Sequence, residues 1–267
     1  MDILQGIILG IVQGLTEFLP VSSSGHLILF KKLFGIDQEQ FGLTFDIALH
    51  FATLIAVFVV FWPDIVAILK KPVQKLTGLL IIATIPAIFV GLFLDDYIEE
   101  ISQSGGFLGF AFLFTAALMF FSQKIPSKSK NLDMMKYSDA AVIGLMQGVA
   151  VMPGISRSGS TTSAGLIMGV EKAASMRFAF LMSIPVILGS AVLGVKDIVT
   201  NPEPINWAPV LAGMLAAGVS GYFAVRFMLN FFKKRSLNIF SVYVAVLGIL
   251  ILIDQLFFNQ FFDVFLI

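Results

Sequence analysis

Gln13-Gly14-Leu15-Thr16-Glu17-Phe18-Leu19-Pro20, followed by Val21-Ser22-Ser23-Ser24-Gly25-His26, interrupts an otherwise apolar segment over residues 3–34. The arm before it, Ile3 to Val12, is about 13 residues with its margin, roughly 20 Å as helix, which reaches only to the middle of a bilayer. Pro, Gly and a row of hydroxyls then free backbone groups that lipid cannot satisfy, so such a break is tolerated only inside protein or against a wet cavity. Residues 138–170 follow the same plan. Ala140 to Met152 is apolar, Pro153-Gly154-Ile155-Ser156-Arg157-Ser158-Gly159-Ser160-Thr161-Thr162 interrupts, and Leu166 to Val170 resumes. Both segments read as re-entrant helix–loop–helix hairpins.

Outward from the hairpins, six stretches are long and apolar enough to span a membrane: 42–62, 76–94, 105–122, 174–195, 207–230 and 237–256. Pro63-Asp64, Asp95-Asp96 with Glu99-Glu100, and Asn201-Pro202-Glu203-Pro204 connect some of them. Composition agrees: of 267 residues 58% are hydrophobic and 13% charged, against about 45–50% and about 25% in soluble domains. The expected fold is an all-α polytopic membrane protein with six transmembrane helices and two hairpins. Net charge is zero and no basic face is present, which argues against nucleic acid as a partner. The absence of Cys removes disulfides and thiolate chemistry. Met1-Asp2-Ile3 has no basic n-region, so the start reads as mature sequence and not as a signal peptide.

Gly10-Ile11-Val12-Gln13-Gly14-Leu15 aligns with Gly144-Leu145-Met146-Gln147-Gly148-Val149, and three spans follow each hairpin. Three is odd, so the second copy enters from the opposite side. This gives an inverted repeat, 1–130 and 131–267, with a site at the midplane interface. Lys and Arg set the orientation. Lys70, Lys71, Lys75, Lys124, Lys128, Lys130, Lys136, Lys172, Arg177, Lys233, Lys234 and Arg235 fall on one side, Lys31, Lys32 and Lys196 on the other. The basic side is cytoplasmic, which places the first hairpin's opening and both termini outside.

Ionisable groups at membrane depth are functional candidates by default. Asp46 and His50, four apart on one helix, are expected to pair with each other near its outer end, and Arg226 to snorkel toward Lys233-Lys234-Arg235. The breaks hold the rest. Glycines let backbone approach a ligand, hydroxyls and helix N-termini donate, and Arg157 adds a permanent forked cation suited to phosphate oxygens. Neither a P-loop nor G-x-S-x-G is completed. With Glu17 and His26 alongside, the anion site becomes a candidate phosphoryl-transfer centre. Glu17 is placed to hold a divalent cation, and His26 or Ser23 to act as nucleophile or acid/base.

Gln13-x-x-x-Glu17 leading into Pro20-Val21-Ser22-Ser23-Ser24-Gly25-His26, together with Pro153-Gly154-Ile155-Ser156-Arg157-Ser158-Gly159-Ser160-Thr161, resembles the undecaprenyl-diphosphate phosphatase family, also called bacitracin-resistance proteins. The likeness covers essentially the whole chain. It implies a bacterial plasma-membrane enzyme that removes the terminal phosphate of undecaprenyl diphosphate, regenerating the carrier lipid for peptidoglycan synthesis. It also implies a divalent cation, Mg²⁺ or Ca²⁺, and a site facing outward. By motif, Glu17 matches the essential glutamate, His26 the catalytic histidine and Ser23 a serine near the attacked phosphate. Ser156, Arg157 and Thr161 match the phosphate-binding stretch, which Ser22 and Ser158 adjoin. Gln13 stands at the first position of an E/Q-x-x-x-E pattern, and an amide there is given a hydrogen-bonding role only.

The partners expected are a polyprenyl diphosphate lipid and the membrane. A homodimer stays open, because lipid and subunit contacts use the same residue types. Gly213, Ala216, Ala217, Gly218 and Gly221 suggest close helix packing, with a groove for the lipid tail as the other use of small residues. The rival reading is a secondary transporter or flippase of a phosphorylated lipid or anion, since broken helices in inverted repeats also mark transporters. A nucleophile, which transport does not need, separates the two.

Overall fold

A computed structural model describes residues 1–36, 38–94, 97–98, 105–125, 129–200, 206–258 and 262, with backbone alone for 38–43 and 195–200. The Asp95-Asp96 and Glu99-Glu100 connection, Lys128 and Asn201–Pro204 lie outside the described residues, as does the side chain of Lys196. Among the described residues the chain is helical, apart from one isolated bridge between Lys130 and Val170. The helices are α1 (Ile3–Phe18), α2 (Ser23–Leu33), α3 (Gln38–Val60), α4 (Trp62–Lys70), α5 (Lys75–Phe93), α6 (Leu108–Ser122), α7 (Tyr137–Val149), α8 (Arg157–Ile167), α9 (Lys172–Thr200), α10 (Trp207–Lys234) and α11 (Asn238–Ile253).

Four helices are long and apolar enough to cross a membrane: Lys75–Phe93, Lys172–Gly194, Trp207–Lys234 and Asn238–Phe258. Thr44–Val60 with Trp62–Lys70 makes a fifth if that pair, bent by 76°, is one span. Pro63-Asp64 is therefore no loop. Pro63 sits in the first turn of α4, where a missing N–H has no intrahelical partner to lose. The stretch expected at 105–122 forms only the 15-residue α6, roughly 22 Å long, because Gly105 takes a left-handed φ of 66° and delays the helix start.

The two hairpins are present as helix pairs, α1–α2 and α7–α8, with later breaks and earlier restarts than the sequence suggested. α1 runs through Gln13 and Glu17 to Phe18 before Leu19 turns extended. α8 begins at Arg157, so the hydroxyl row from Ser158 to Thr162 is its first two turns. Helix continues because those polar side chains find partners in the protein interior, which removes the need for an open loop.

Close approach of helices organises the rest. α1 packs along α10, and α7 along α5. An ideal Cβ on Gly6 would meet the Pro209 carbonyl oxygen at 2.5 Å, one on Gly10 the Gly213 oxygen at 2.2 Å, and one on Gly14 the Ala217 oxygen at 2.4 Å. The small residues of α10 are thus filled by the glycine face of α1, and no lipid-tail groove exists there. α6 lies behind both breaks. A Cβ on Gly25 would strike Phe112 at 2.6 Å, and one on Gly154 would strike Leu108 at 2.7 Å. Around this contact Phe18, Phe112, Phe180 and Phe232 form part of the main apolar core.

Candidate functional site

The two breaks meet tip to tip. Ser158 Oγ, from the second, donates to the Leu19 carbonyl of the first at 3.0 Å, and the Gly154 N–H donates to Ser24 Oγ at 3.2 Å. Each break ends in a serine N-cap. Ser22 Oγ accepts from the Gly25 N–H at 3.3 Å, and Ser156 Oγ from the Gly159 N–H at 3.1 Å. Ser22 holds a φ of 72°, among described residues the one non-glycine at positive φ. Such a conformation costs about 1–3 kcal/mol and persists where surroundings over-determine it.

Glu17 is the hub. Its Oε2 accepts from Ser23 Oγ at 2.6 Å and Gln13 Nε2 at 3.0 Å, while Oε1 pairs with Arg157 Nη2. The carboxylate is buried, with a side-chain exposure of 4% against 18% for Arg157. A buried carboxylate survives only with charge and hydrogen bonds around it, and both are supplied here. Arg157 is the first residue of α8, so its guanidinium stands at the positive end of that helix.

These groups line one cavity of about 370 Å³. Glu17, Ser22, Ser23, Ser24, Ser156 and Arg157 supply its polar end, with Asp46, His50 and Gln147. Thr161 and His26 are not in its wall. Thr161 Oγ1 is turned back onto the Arg157 carbonyl at 2.8 Å. His26 stands behind the serine row. Its Nδ1 meets the Ser22 carbonyl at 2.7 Å and can only donate there, so Nε2 is the acceptor for the Tyr243 hydroxyl at 2.8 Å. Ser158 Oγ is spent on the Leu19 carbonyl and on contact with Ser156 Oγ.

The expected Asp46–His50 pair does not form between side chains. The Asp46 carboxylate takes Lys31, whose Nζ reaches its two oxygens at 2.8 and 2.7 Å. Lys31 is consequently buried and not an exposed outer-loop charge. His50 donates from Nδ1 to the Asp46 backbone carbonyl at 2.8 Å and turns Nε2 toward Glu17 Oε2, 3.7 Å away. Sequence reasoning passed over His50 and Gln147. The signal was there for both: a histidine at membrane depth, and a glutamine that repeats Gln13 in the second hairpin. Arg226 bonds the Tyr222 hydroxyl at 2.6 Å on an exposed face, well apart from this cavity's wall.

Among the described residues no group of three His, Cys, Asp or Glu is placed to hold a metal alone. Gln13 Oε1, however, is buried with no hydrogen-bond partner, next to Glu17. One carboxylate and one spare amide oxygen fit a hard cation that brings water and ligand oxygens with it, the usual habit of Mg²⁺.

Residues 6–250 match the family described as bacitracin resistance protein BacA. An undecaprenyl-diphosphatase of Carboxydothermus hydrogenoformans is 44% identical over 96% of this chain and 98% of its own length. One from Halothermothrix orenii is 41% identical over 95% of this chain and 98% of its own. Undecaprenyl-diphosphatase 4 of Bacillus cereus is 41% identical over 99% of this chain and its entire length.

Proposed function

We propose for this chain, which belongs to the bacitracin resistance protein BacA family, hydrolysis of undecaprenyl diphosphate to undecaprenyl phosphate and phosphate, the activity by which it confers bacitracin resistance. The observation that carries the reading is the meeting of Glu17, Ser23 and Arg157 in one cavity between the breaks. Arg157 trades its contact with Glu17 for the entering phosphates, and its fork with the α8 N-terminus stabilises charge on the transferred group. Glu17 orients the Ser23 hydroxyl, or a water in its place, and takes up its proton. Ser22 and Ser156 direct the capped helix N-termini at the phosphate oxygens. His26 acts through the Ser22 carbonyl, fixing the strained turn, and is a positioning residue in this reading. Glu17 and Gln13 Oε1 would hold Mg²⁺ or Ca²⁺, which when bound neutralises the diphosphate.

Phosphate release from undecaprenyl diphosphate by detergent-purified protein tests this, with Mg²⁺ or Ca²⁺ and with chelator. Metal-dependent release that disappears in Glu17→Gln and Arg157→Ala is the expected result. No release from folded wild-type protein overturns it and leaves transport of a phosphorylated lipid as the alternative.

The proposal extends to architecture: six spans and two re-entrant hairpins in an inverted repeat, in the bacterial inner membrane, with site and termini outside. Reciprocal packing supports the repeat, since α1 on α10 mirrors α7 on α5, and α6 behind the second break mirrors α11 beside His26. The chain has no Cys, so single cysteines report topology directly. Asp2→Cys should react with an impermeant maleimide in intact cells, and Lys234→Cys only after permeabilisation; the reverse pattern overturns the orientation. Mass measurement in detergent decides whether a second copy shares the apolar faces.

A further inference from the structure

The cavity has a second end that the phosphates do not explain. α5 and α9 pack together through Leu79, Ala83, Phe178 and Met182. Each then carries a proline, Pro86 and Pro185. Past those prolines the two helices turn Ala87, Gly91, Val186, Ile187, Ala191 and Leu193 into the cavity wall. Leu193 is also 39% exposed outward, and an ideal Cβ on Gly91 would meet nothing within 4 Å. This is therefore the mouth. Its rim bears Phe89, Phe93, Leu188 and Val192, all exposed and apolar on membrane-length helices, so it opens to lipid. Gln147 stands where the polar end gives way to this apolar one, its Oε1 buried and without a partner. A hydrocarbon cannot satisfy that oxygen, so it bounds the headgroup region.

Resting on the hydrolase reading, we propose that the α5–α9 end takes the first isoprene units of the substrate, and that the enzyme reads these units and not the length of the chain. The cavity of about 370 Å³ stands near the lower limit of ligand pockets, roughly 300–1,000 Å³. A diphosphate and a short run of tail fill it, and the remainder of an undecaprenyl chain stays in the bilayer, where it makes no discriminating contact.

Gly91→Phe tests the assignment, because the open space at Gly91 accepts a side chain without moving backbone, and thermal unfolding at the wild-type temperature verifies the fold. Farnesyl and undecaprenyl diphosphate serve as substrates, and inorganic pyrophosphate as a tail-free competitive inhibitor. The expected result is a KM raised about tenfold or more by the same factor for both lipids, with kcat and the pyrophosphate inhibition constant within about twofold of wild type. Wild-type KM in the variant, or a shift for undecaprenyl diphosphate alone, overturns the tail site while the hydrolase reading stands. Wild-type protein that hydrolyses neither lipid overturns the hydrolase reading and this inference with it.

Discussion

Four residues past Gln13, the first break carries Glu17; four residues past Gln147, the second carries Val151, and both side chains reach the cavity wall. The second break instead supplies Arg157 at the head of its exit helix, where the first has Ser23. Two segments of similar plan thus contribute opposite charges to one site. Equal charges would fail in either sense. Two carboxylates would repel each other and a diphosphate, and two arginines would bury an unpaired cation. Their packing differs as well. The first arm lies backbone to backbone on α10, while the second leaves more room against α5, where a Cβ on Gly148 would stand 3.3 Å from Pro86.

The largest break in this comparison comes from removing the positive member. Arg157→Ala should lower kcat/KM by about 10³-fold, in the range of lost arginine clamps on phosphoryl groups, as read by steady-state phosphate release. Packing comes next. Gly10→Ala, forced against the Gly213 carbonyl, should cost about 2 kcal/mol, and Gly148→Ala under about 1 kcal/mol; unfolding in detergent of the two variants measures the difference, and equal losses would erase the contrast between arms. Making the breaks alike in charge is milder. Val151→Glu should reduce kcat/KM about tenfold by competing with Glu17 for Arg157, and a compensating rise would show that the site tolerates two carboxylates. Smallest of all, Gln13→Glu adds an anionic ligand beside Glu17 and should lower the Mg²⁺ concentration for half activity by about threefold, as followed by metal titration.

Much of this was legible in the sequence because membrane interiors punish polar backbone. Pro20 and the triple serine, or Pro153-Gly154, cannot sit in lipid, and that alone located the breaks. Their edges were not legible. Gln13 and Glu17 look like loop residues, yet they complete the last turns of α1 because Ser23 and Arg157, from other helices, satisfy them. Asp46 and His50 were matched by helical spacing, but Lys31 on α2 claims the carboxylate and frees the imidazole for Glu17. That choice depends on how α2 lies against α3, which spacing along one helix cannot report. The mouth was hidden for a related reason: Pro86 and Pro185 are far apart in sequence and meaningful only side by side.

The hydrogen bonds that cross between the breaks make the molecule a clasp. Glu17 to Arg157, Ser158 to Leu19 and Ser24 to Gly154 all join one half of the chain to the other at the tips. A carrier that rocks its halves past each other to expose a site alternately would have to undo all three at once, and would dismantle the reaction centre with every stroke. A clasp of this kind works best shut, with its lipid sliding in from the side and its phosphate leaving from the front.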